Sequence, residues 1–234
     1  MDRRTFMLAA PAIMAGGCVS VGGAPGPPAQ APVFRVGDRW VYNCLDGYRV
    51  PVTWVETHEV ITIDSTGIAV RVTLVGETMN YKRVELLASP GVLLVGAIYD
   101  DAETRRFKTP LTRYQFPLTS GATWNQYVDN YDELTQMQDT VNRYVKVGGY
   151  EKVSTPAGTF DAIVMRILMS CNVNDPFRFP TQCNYVVWWA EKAGAMVRQT
   201  KFATYIERGD TMEASQIRAQ NTVIELASYT RGAA

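Results

Sequence analysis

The sequence predicts an all-β protein: a single curved antiparallel sheet that forms a barrel or half-barrel, with little helix. Three observations predict this fold class. From Phe34 onward, apolar and polar residues alternate with a period of two in many short runs. Turn-forming Gly, Pro, Asn and Asp residues separate those runs at fairly regular intervals. No long stretch has a helical period, and many short strands between regular turns are typical of curled or closed antiparallel sheets.

The first element of the chain is an export signal at residues 1–17. Arg3 and Arg4 precede an apolar run from Phe6 to Gly17, and its twelve residues fall short of the roughly 20 that a spanning helix needs. A charged start, a short apolar run and small residues before a cleavage point indicate a secretory signal peptide. The arginine pair followed by Phe6 also resembles a twin-arginine motif, so Sec and twin-arginine export both remain open.

The second element is a tether at residues 18–33. Cys18 follows three small residues and resembles the cysteine of a bacterial lipobox, whose thiol receives a diacylglycerol. We predict lipidation of Cys18; the alternative is an ordinary signal peptide that leaves this cysteine unmodified. The uncharged Gly, Pro and Ala residues that follow are typical of a flexible spacer. No aspartate follows Cys18, so we expect the periplasmic face of the outer membrane, or otherwise the periplasm.

Residues 34–230 are predicted to form one β domain. The stretch "IAVRVTLVG" (68–76) is apolar on one face only, as expected of a half-buried strand. By contrast, "FDAIVMRILMSC" (160–171) is apolar on both faces, which must both be covered. A folded-over sheet is the favoured explanation, and an apolar cavity is the alternative. "DNYDELTQMQDTVNRYVKV" (129–147) predicts a loop or short helix that leads into a strand.

Charge and the three remaining cysteines limit the partners and the metal chemistry. Residues 1–17 remove two basic and one acidic residue, which leaves 21 basic and 22 acidic residues and no basic cluster for nucleic acid. Eleven residues separate Cys171 from Cys183, and we predict a disulfide between them, with Cys44 as the rival partner. Without a C-x-x-C pair, these cysteines and the single histidine predict no zinc site and no cofactor.

No residue is predicted to be catalytic. His58 is the only histidine, lies in the middle of a predicted strand without a nucleophile motif, and is expected to face solvent. An enzyme is therefore the least favoured class. For two groups of acidic residues, a structural role is favoured over a functional one. The first group is interpreted as a solvated, charge-balanced loop, and the second as turn or cap positions in preference to a calcium site. The first group is Asp100, Asp101 and Glu103 beside Arg105 and Arg106, and the second is Asp129, Asp132, Glu133 and Asp139.

Five phrases of the chain together resemble the TapB-like family of exported bacterial proteins of unknown function. This resemblance implies a curved, barrel-like antiparallel domain, often carried by a lipoprotein, with no established enzymatic activity and no catalytic residues to transfer. The segment between Cys171 and Cys183 departs from the family pattern. The phrases are "FRVGDRWVYN" (34–43), "YQFPLTSGATW" (114–124), "GYEKVSTPAGTFDAIVMRI" (149–167), "VVWWAEKAGAMVRQ" (186–199) and "TVIELASY" (222–229).

The sequence therefore predicts a non-enzymatic cell-envelope lipoprotein with a binding role. One version is a carrier or chaperone for an apolar ligand, because curved sheets can hold a ligand when their own side chains do not fill them. The alternative is an interaction or structural module that binds an envelope protein through exposed strand edges or aromatic residues. The volume inside the sheet distinguishes the two: a dry pocket of roughly 300 Å³ or more favours the carrier.

Overall fold

A computed structural model describes residues 23–47, 50–99, 101–208 and 216–233, and these form a closed antiparallel barrel. Each strand pairs with its neighbours in sequence, and β12 pairs with β1 to close the sheet. The predicted fold class is confirmed, and the closure excludes the half-barrel. In chain order the strands are β1 (Arg39–Asp46), β2 (Val52–Asp64), β3 (Gly67–Gly76), β4 (Asn80–Ser89), β5 (Val92–Gly96), β6 (Arg105–Thr112), β7 (Thr123–Asp132), β8 (Met137–Thr155), β9 (Gly158–Cys171), β10 (Thr181–Ala190), β11 (Ala195–Ile206) and β12 (Gln216–Thr230).

The inner face of the barrel follows the apolar alternation of the strands. In β3, Ile68, Val70, Val72 and Leu74 point inward and are buried, as the period of two predicts. Two hydrophobic clusters fill much of the interior: one includes the buried residues of β1–β3 together with residues from several other strands, and the other comes mainly from β8–β10. No helix within the described ranges has the length and apolarity to cross a membrane.

Strand β9 was predicted to need cover on both faces. Its inward residues Met165 and Ile167 belong to the hydrophobic core. On the outward face, Val164 is buried opposite Trp188 of β10, whereas Leu168 is half exposed.

The end of the β8–β9 hairpin packs on β12, with which neither strand pairs: the Ala157 amide donates to the Leu226 carbonyl at 3.1 Å, and the Phe160 and Tyr229 ring centroids are 6.3 Å apart. The end of this hairpin is therefore folded over, in agreement with the favoured explanation.

The segment for which a loop or short helix was predicted is the tight turn between β7 and β8. The Asp132 carboxylate accepts hydrogen bonds from the Leu134 amide at 2.9 Å and from the Thr135 hydroxyl at 3.1 Å. Gln136 has φ 57°, a left-handed conformation that this turn requires. The turn role predicted for this aspartate is confirmed.

Residues 23–38, which we call the strap, pack on the barrel. Ala24 pairs with Tyr150 of β8, and Ala29 exchanges backbone hydrogen bonds of 2.9 and 2.8 Å with Leu118 in the β6–β7 connection. Ala29 is only 1% exposed. The strap therefore runs along the end of the barrel where β6–β7 and β10–β11 connect, and it does not form the free tether predicted for residues 23–33.

The strap has the composition of a linker because small residues allow it to pack closely on the barrel. A Cβ atom on Gly149 would lie 2.4 Å from the Gly23 carbonyl oxygen, so the two backbones approach closely only because both residues lack a side chain. Farther along the strap, the Phe34 ring packs edge-on against Trp40 with centroids 5.7 Å apart. Glycine and alanine thus serve close packing here, whereas their composition alone predicts flexibility.

Candidate functional site

The barrel encloses a group of charged side chains that we call the inner polar cluster. Six of these residues occupy inward positions of the alternating strands, and Asp101 and Arg113 come from the connections on either side of β6. In β2, for example, Glu56 and His58 share a face with Trp54 and Val60. They line a cavity of about 100 Å³, here called the polar cavity, together with apolar residues from both hydrophobic clusters. The inner polar cluster consists of Glu56, His58, Arg83, Glu85, Asp101, Arg113, Arg143 and Lys201.

Two buried glutamates organise one side of the cluster. Glu85 lies 3.2 Å from the Nε atom of Arg83 and 2.9 Å from a terminal nitrogen of Arg113. Glu56 lies 2.6 Å from Nε2 of His58 and 3.9 Å from Arg83. These contacts supply the partners that a buried carboxylate needs to remain ionised.

The contacts of the glutamates set their protonation. Burial by itself would raise the pKa of Glu85, but the charges of Arg113 and Arg83 lower this pKa to about 2. Burial likewise opposes ionisation of Glu56, whereas the hydrogen bond and charge of His58 bring its pKa to about 2. Both carboxylates are therefore anionic at neutral pH.

Lys201 of β11 reaches the cluster from the opposite wall. Its Nζ atom lies 3.3 Å from the Tyr99 carbonyl oxygen and 3.4 Å from Oδ1 of Asp101, both in the β5–β6 connection. Burial would lower the pKa of Lys201, but the charges of Asp101 and Glu56 outweigh burial and raise it. Lys201 thus remains a cation inside the barrel.

Arg143 of β8 differs from the other cations because its hydrogen bonds go to backbone carbonyls. Its two terminal nitrogens donate to the carbonyl oxygens of Thr112 and Arg113, each at 3.0 Å. In the part of the chain that the structure describes, no carboxylate lies within ion-pair distance of Arg143. Burial, with the nearby charge of Arg113, lowers the pKa of Arg143 to about 10.

A second cavity of about 110 Å³ adjoins the polar cavity, and we call it the aromatic cavity because six aromatic side chains line it. The strap residues Pro32 and Phe34 form part of its wall. The two cavities share five lining residues, which are His58, Glu85, Arg113, Tyr114 and Met196. The aromatic lining comprises Phe34, Trp40, Tyr42, Tyr114, Phe116 and Trp189. A charged space and an aromatic space therefore meet inside the barrel, and the strap borders the aromatic one.

A separate buried network surrounds Arg105 near the opposite end of the barrel. Arg105 lies 2.8 Å from Glu103, 2.7 Å from Asp139 and 2.7 Å from the Asn172 side chain. Asp139 also accepts the backbone amides of Asn172 and Val173, each at 2.7 Å. The network joins β6 and β8 to the start of the β9–β10 connection, which indicates a structural role.

This network corrects one sequence prediction and agrees with another. The predicted solvated loop is wrong for Glu103 and Arg105, which are both 1% exposed, because their charges satisfy each other in the interior. It is also wrong for Asp101, which pairs with the buried Lys201 at the polar cavity. Asp100 lies outside the described residues. Asp139 serves a backbone-capping role, as favoured over calcium binding, and no group of acidic, His or Cys side chains suited to a metal occurs among the described residues.

The predicted disulfide is not present. Cys171 and Cys183 are free thiols, and so is the rival Cys44; all three are buried. Across β9 and β10, Cys171 faces Thr181 while Cys183 faces Met169, so the two cysteines form a diagonal pair instead of a directly opposed one. The two thiols nevertheless interact directly, and this contact raises the pKa of Cys171 and lowers that of Cys183. Cys18, the predicted lipidation site, lies outside the described residues.

His58 was expected to face solvent, and that prediction is wrong. The strand alternation places His58 inside the barrel, between Glu56 and Tyr42, whose ring centroid lies 5.3 Å from the imidazole. Three further site residues, Arg113, Arg143 and Lys201, were not predicted from the sequence. For Arg143 and Lys201 a signal was available, because each shares a strand face with buried apolar residues, for example Lys201 with Ala203. Arg113 lies in the β6–β7 connection, where no alternation indicates an inward position.

Comparison with known proteins identifies two solved structures that share this fold. The first is a protein of Bacteroides fragilis described as exported with a YmcC-like fold; its TM-score is 0.54 at 12% identity, over 88% of this chain and 100% of that one. The second, described as a lipoprotein of Parabacteroides distasonis, has a TM-score of 0.50 at 11% identity, over 87% and 98% of the two chains. No protein-family model and no curated protein matches the sequence. At such low identity, the likeness establishes the fold alone.

Proposed function

We propose that this chain is an exported, lipid-anchored envelope protein that binds a small ligand inside its barrel without catalysing a reaction. The observation that carries this proposal is the pair of adjoining cavities in the interior, one lined by the inner polar cluster and the other by aromatic residues. The export signal, the lipobox-like Cys18 and the resemblance to TapB-like proteins support the location at the periplasmic face of the outer membrane. The two structural neighbours, one described as an exported protein and the other as a lipoprotein, agree with export.

The cavity volumes restrict the kind of ligand. Each cavity measures about 100–110 Å³, below the roughly 300 Å³ expected of a carrier for a drug-sized or larger apolar molecule. A charged lining also disfavours a purely apolar ligand, because the buried charges would lose solvation without gaining partners. We therefore favour a small polar or amphiphilic ligand over the apolar ligand predicted from the sequence.

Native mass spectrometry of the protein purified from its own envelope in mild detergent tests this proposal. We expect a non-covalent small molecule at a one-to-one ratio. The control is the same preparation after unfolding and refolding in clean buffer, which should have lost that molecule. Protein that carries no small molecule before unfolding would contradict the binding role.

A protein-binding module is the second candidate, and one loop favours it. In the β9–β10 connection, Phe177 is 79% exposed and Phe179 is 49% exposed. The Arg208 guanidinium stacks on the Phe179 ring at 4.9 Å from its centroid. Exposed aromatic residues beside arginine are typical of binding hot spots. A stoichiometric protein partner in the same experiment, lost in Phe177→Ala, would support this candidate.

A further inference from the structure

The charges around the polar cavity do not balance. Four cationic side chains face three carboxylates, without counting His58, and both glutamates are ionised. Buried charges are costly unless an opposite charge compensates them. The cations are Arg83, Arg113, Arg143 and Lys201, and the carboxylates are Glu56, Glu85 and Asp101. One cation of this lining therefore has no carboxylate among the described residues within ion-pair distance.

The uncompensated charge belongs to Arg143. Each of the other three cations lies within 4 Å of a carboxylate, whereas Arg143 contacts only carbonyl oxygens of Thr112 and Arg113. Those two hydrogen bonds use two of the five N–H donors of a guanidinium. Arg143 is 5% exposed and lines the polar cavity, so a cavity ligand would be the natural acceptor for the remaining donors.

Tyr114 provides a second donor at the junction of the two cavities. It lines both of them, and none of the described residues hydrogen-bonds its hydroxyl. Burial raises the pKa of Tyr114, which keeps the hydroxyl protonated and able to donate. Arginine and a tyrosine hydroxyl beside an empty volume form a suitable pair for a carboxylate, which accepts hydrogen bonds at both oxygens.

The aromatic cavity limits the size of the ligand's apolar part. Its volume of about 110 Å³ is somewhat smaller than a cavity of about 150 Å³ that holds benzene in an apolar protein interior. Because the two cavities share Tyr114, Arg113 and His58, one molecule with an acidic group and a short apolar part can occupy both. A cation would add to the excess positive charge, and a neutral ligand would leave Arg143 uncompensated.

We propose that the barrel binds a small aromatic or short-chain carboxylate, with its carboxylate against Arg143 and Tyr114 and its apolar part in the aromatic cavity. This inference rests on the proposed ligand-binding function and specifies the chemistry of the ligand. The excess of cations over carboxylates in this lining favours an anion. The combined space excludes long acyl chains.

Calorimetric titration of the mature, full-length protein with benzoate and with benzamide tests the proposal. The two probes have nearly the same shape, but only benzoate carries a negative charge. Charge-assisted hydrogen bonds contribute more than neutral ones, so we expect benzoate to bind about ten- to a hundredfold more tightly than benzamide. Equal affinity for the two probes, or no binding of benzoate at millimolar concentrations, would overturn the proposal.

Two variants locate the carboxylate. Arg143→Gln removes the charge but keeps an amide that can donate to a backbone carbonyl, and it should weaken benzoate binding about ten- to a hundredfold. The matched control is Arg71→Gln, because Arg71 pairs with Glu59 at 3.1 Å on the outer wall. The Arg71→Gln protein should bind benzoate with the affinity of the wild type. Unchanged benzoate affinity in a folded Arg143→Gln protein contradicts the assigned position.

Tyr114→Phe provides an independent test of the proposal if the Arg143→Gln protein does not fold. This change removes one hydroxyl that has no hydrogen-bond partner among the described residues, so the barrel should remain intact while benzoate affinity falls several-fold. Unaltered affinity would overturn the proposal. The chemistry of the native ligand distinguishes a failure of the carboxylate proposal from a failure of the proposed binding function. A neutral molecule bound in the envelope preparation would support the binding function and refute the carboxylate.

Discussion

At the scale of single residues, the interior charges behave as a connected set. Glu85 is the most connected of the carboxylates in the inner polar cluster, because it joins Arg83 to Arg113 and also lies 3.4 Å from the Ala97 amide. Such a carboxylate stabilises the fold only while it is ionised. Replacing it therefore affects both the stability at neutral pH and the dependence of stability on acid.

Glu85→Gln should lower the free energy of unfolding at neutral pH by about 3–5 kcal/mol, because Arg83 and Arg113 lose their buried partner. The pKa of Glu85 is depressed to about 2, so its stabilising contribution is present above the ordinary value near 4.5 and is lost as the pH falls toward 2. In the variant, stability should therefore fall less steeply across that interval. Urea unfolding at a series of pH values measures both effects.

Glu59→Gln is the matched control, since Glu59 pairs with Arg71 on the outer wall, where both side chains are partly exposed. Exposed ion pairs contribute about 0–1 kcal/mol, so the control should keep the wild-type profile. An acid dependence of Glu85→Gln as steep as that of the wild type would contradict the assigned role of Glu85.

At the scale of elements, the strap is the segment whose role changes most between sequence and structure. It closes part of one barrel end and supplies Pro32 and Phe34 to the aromatic cavity. Its attachment depends on short contacts, chiefly the paired hydrogen bonds between Ala29 and Leu118. These few contacts make the strap the element that a single substitution should detach most easily.

Ala29→Asp should release the strap, because a carboxylate at this fully buried position would lack a partner. We expect rapid proteolytic cleavage within residues 23–36 while the barrel strands stay protected. Ala31→Asp is the matched control, since Ala31 is exposed and the same change there should leave the cleavage pattern unaltered. Equal protection of both variants would show that the Ala29 contact does not hold the strap.

At the scale of the whole molecule, the strap shortens the distance between the anchor and the barrel. If Cys18 carries a lipid, five residue steps separate it from Gly23, which is the first described residue. A fully extended chain of that length spans about 18 Å. The barrel would therefore lie close to the membrane surface. The β9–β10 connection, which contains Phe177, lies at the end of the barrel opposite the strap.

We predict that the mature protein begins at a lipidated Cys18 and fractionates with outer membranes. Mass spectrometry of the mature N-terminus should detect the added acyl mass, and Cys18→Ser should release the protein into the soluble periplasmic fraction. The barrel of this variant should retain its wild-type unfolding midpoint, because Cys18 precedes the described residues. An unmodified Cys18 in the wild type would refute the prediction.

The sequence by itself determined the all-β class, because the alternation of apolar residues is a local property that each strand carries. It also indicated the turn role of Asp132. The closure of β1 on β12 was left open between barrel and half-barrel, because closure depends on pairing between residues nearly 200 positions apart, such as Arg39 and Thr230. The local alternation of residues does not specify which distant strands pair.

Only the tertiary structure decided the candidate site. Glu85, Arg113, Arg143 and Lys201 come from four regions of the chain, and only the curvature and register of the closed barrel bring them to one cavity. The same holds for the strap, whose Gly and Ala residues predict flexibility until Gly149 is found to offer space for close packing. Side-chain periodicity specifies which face a residue occupies, whereas the partners across the interior depend on the whole barrel.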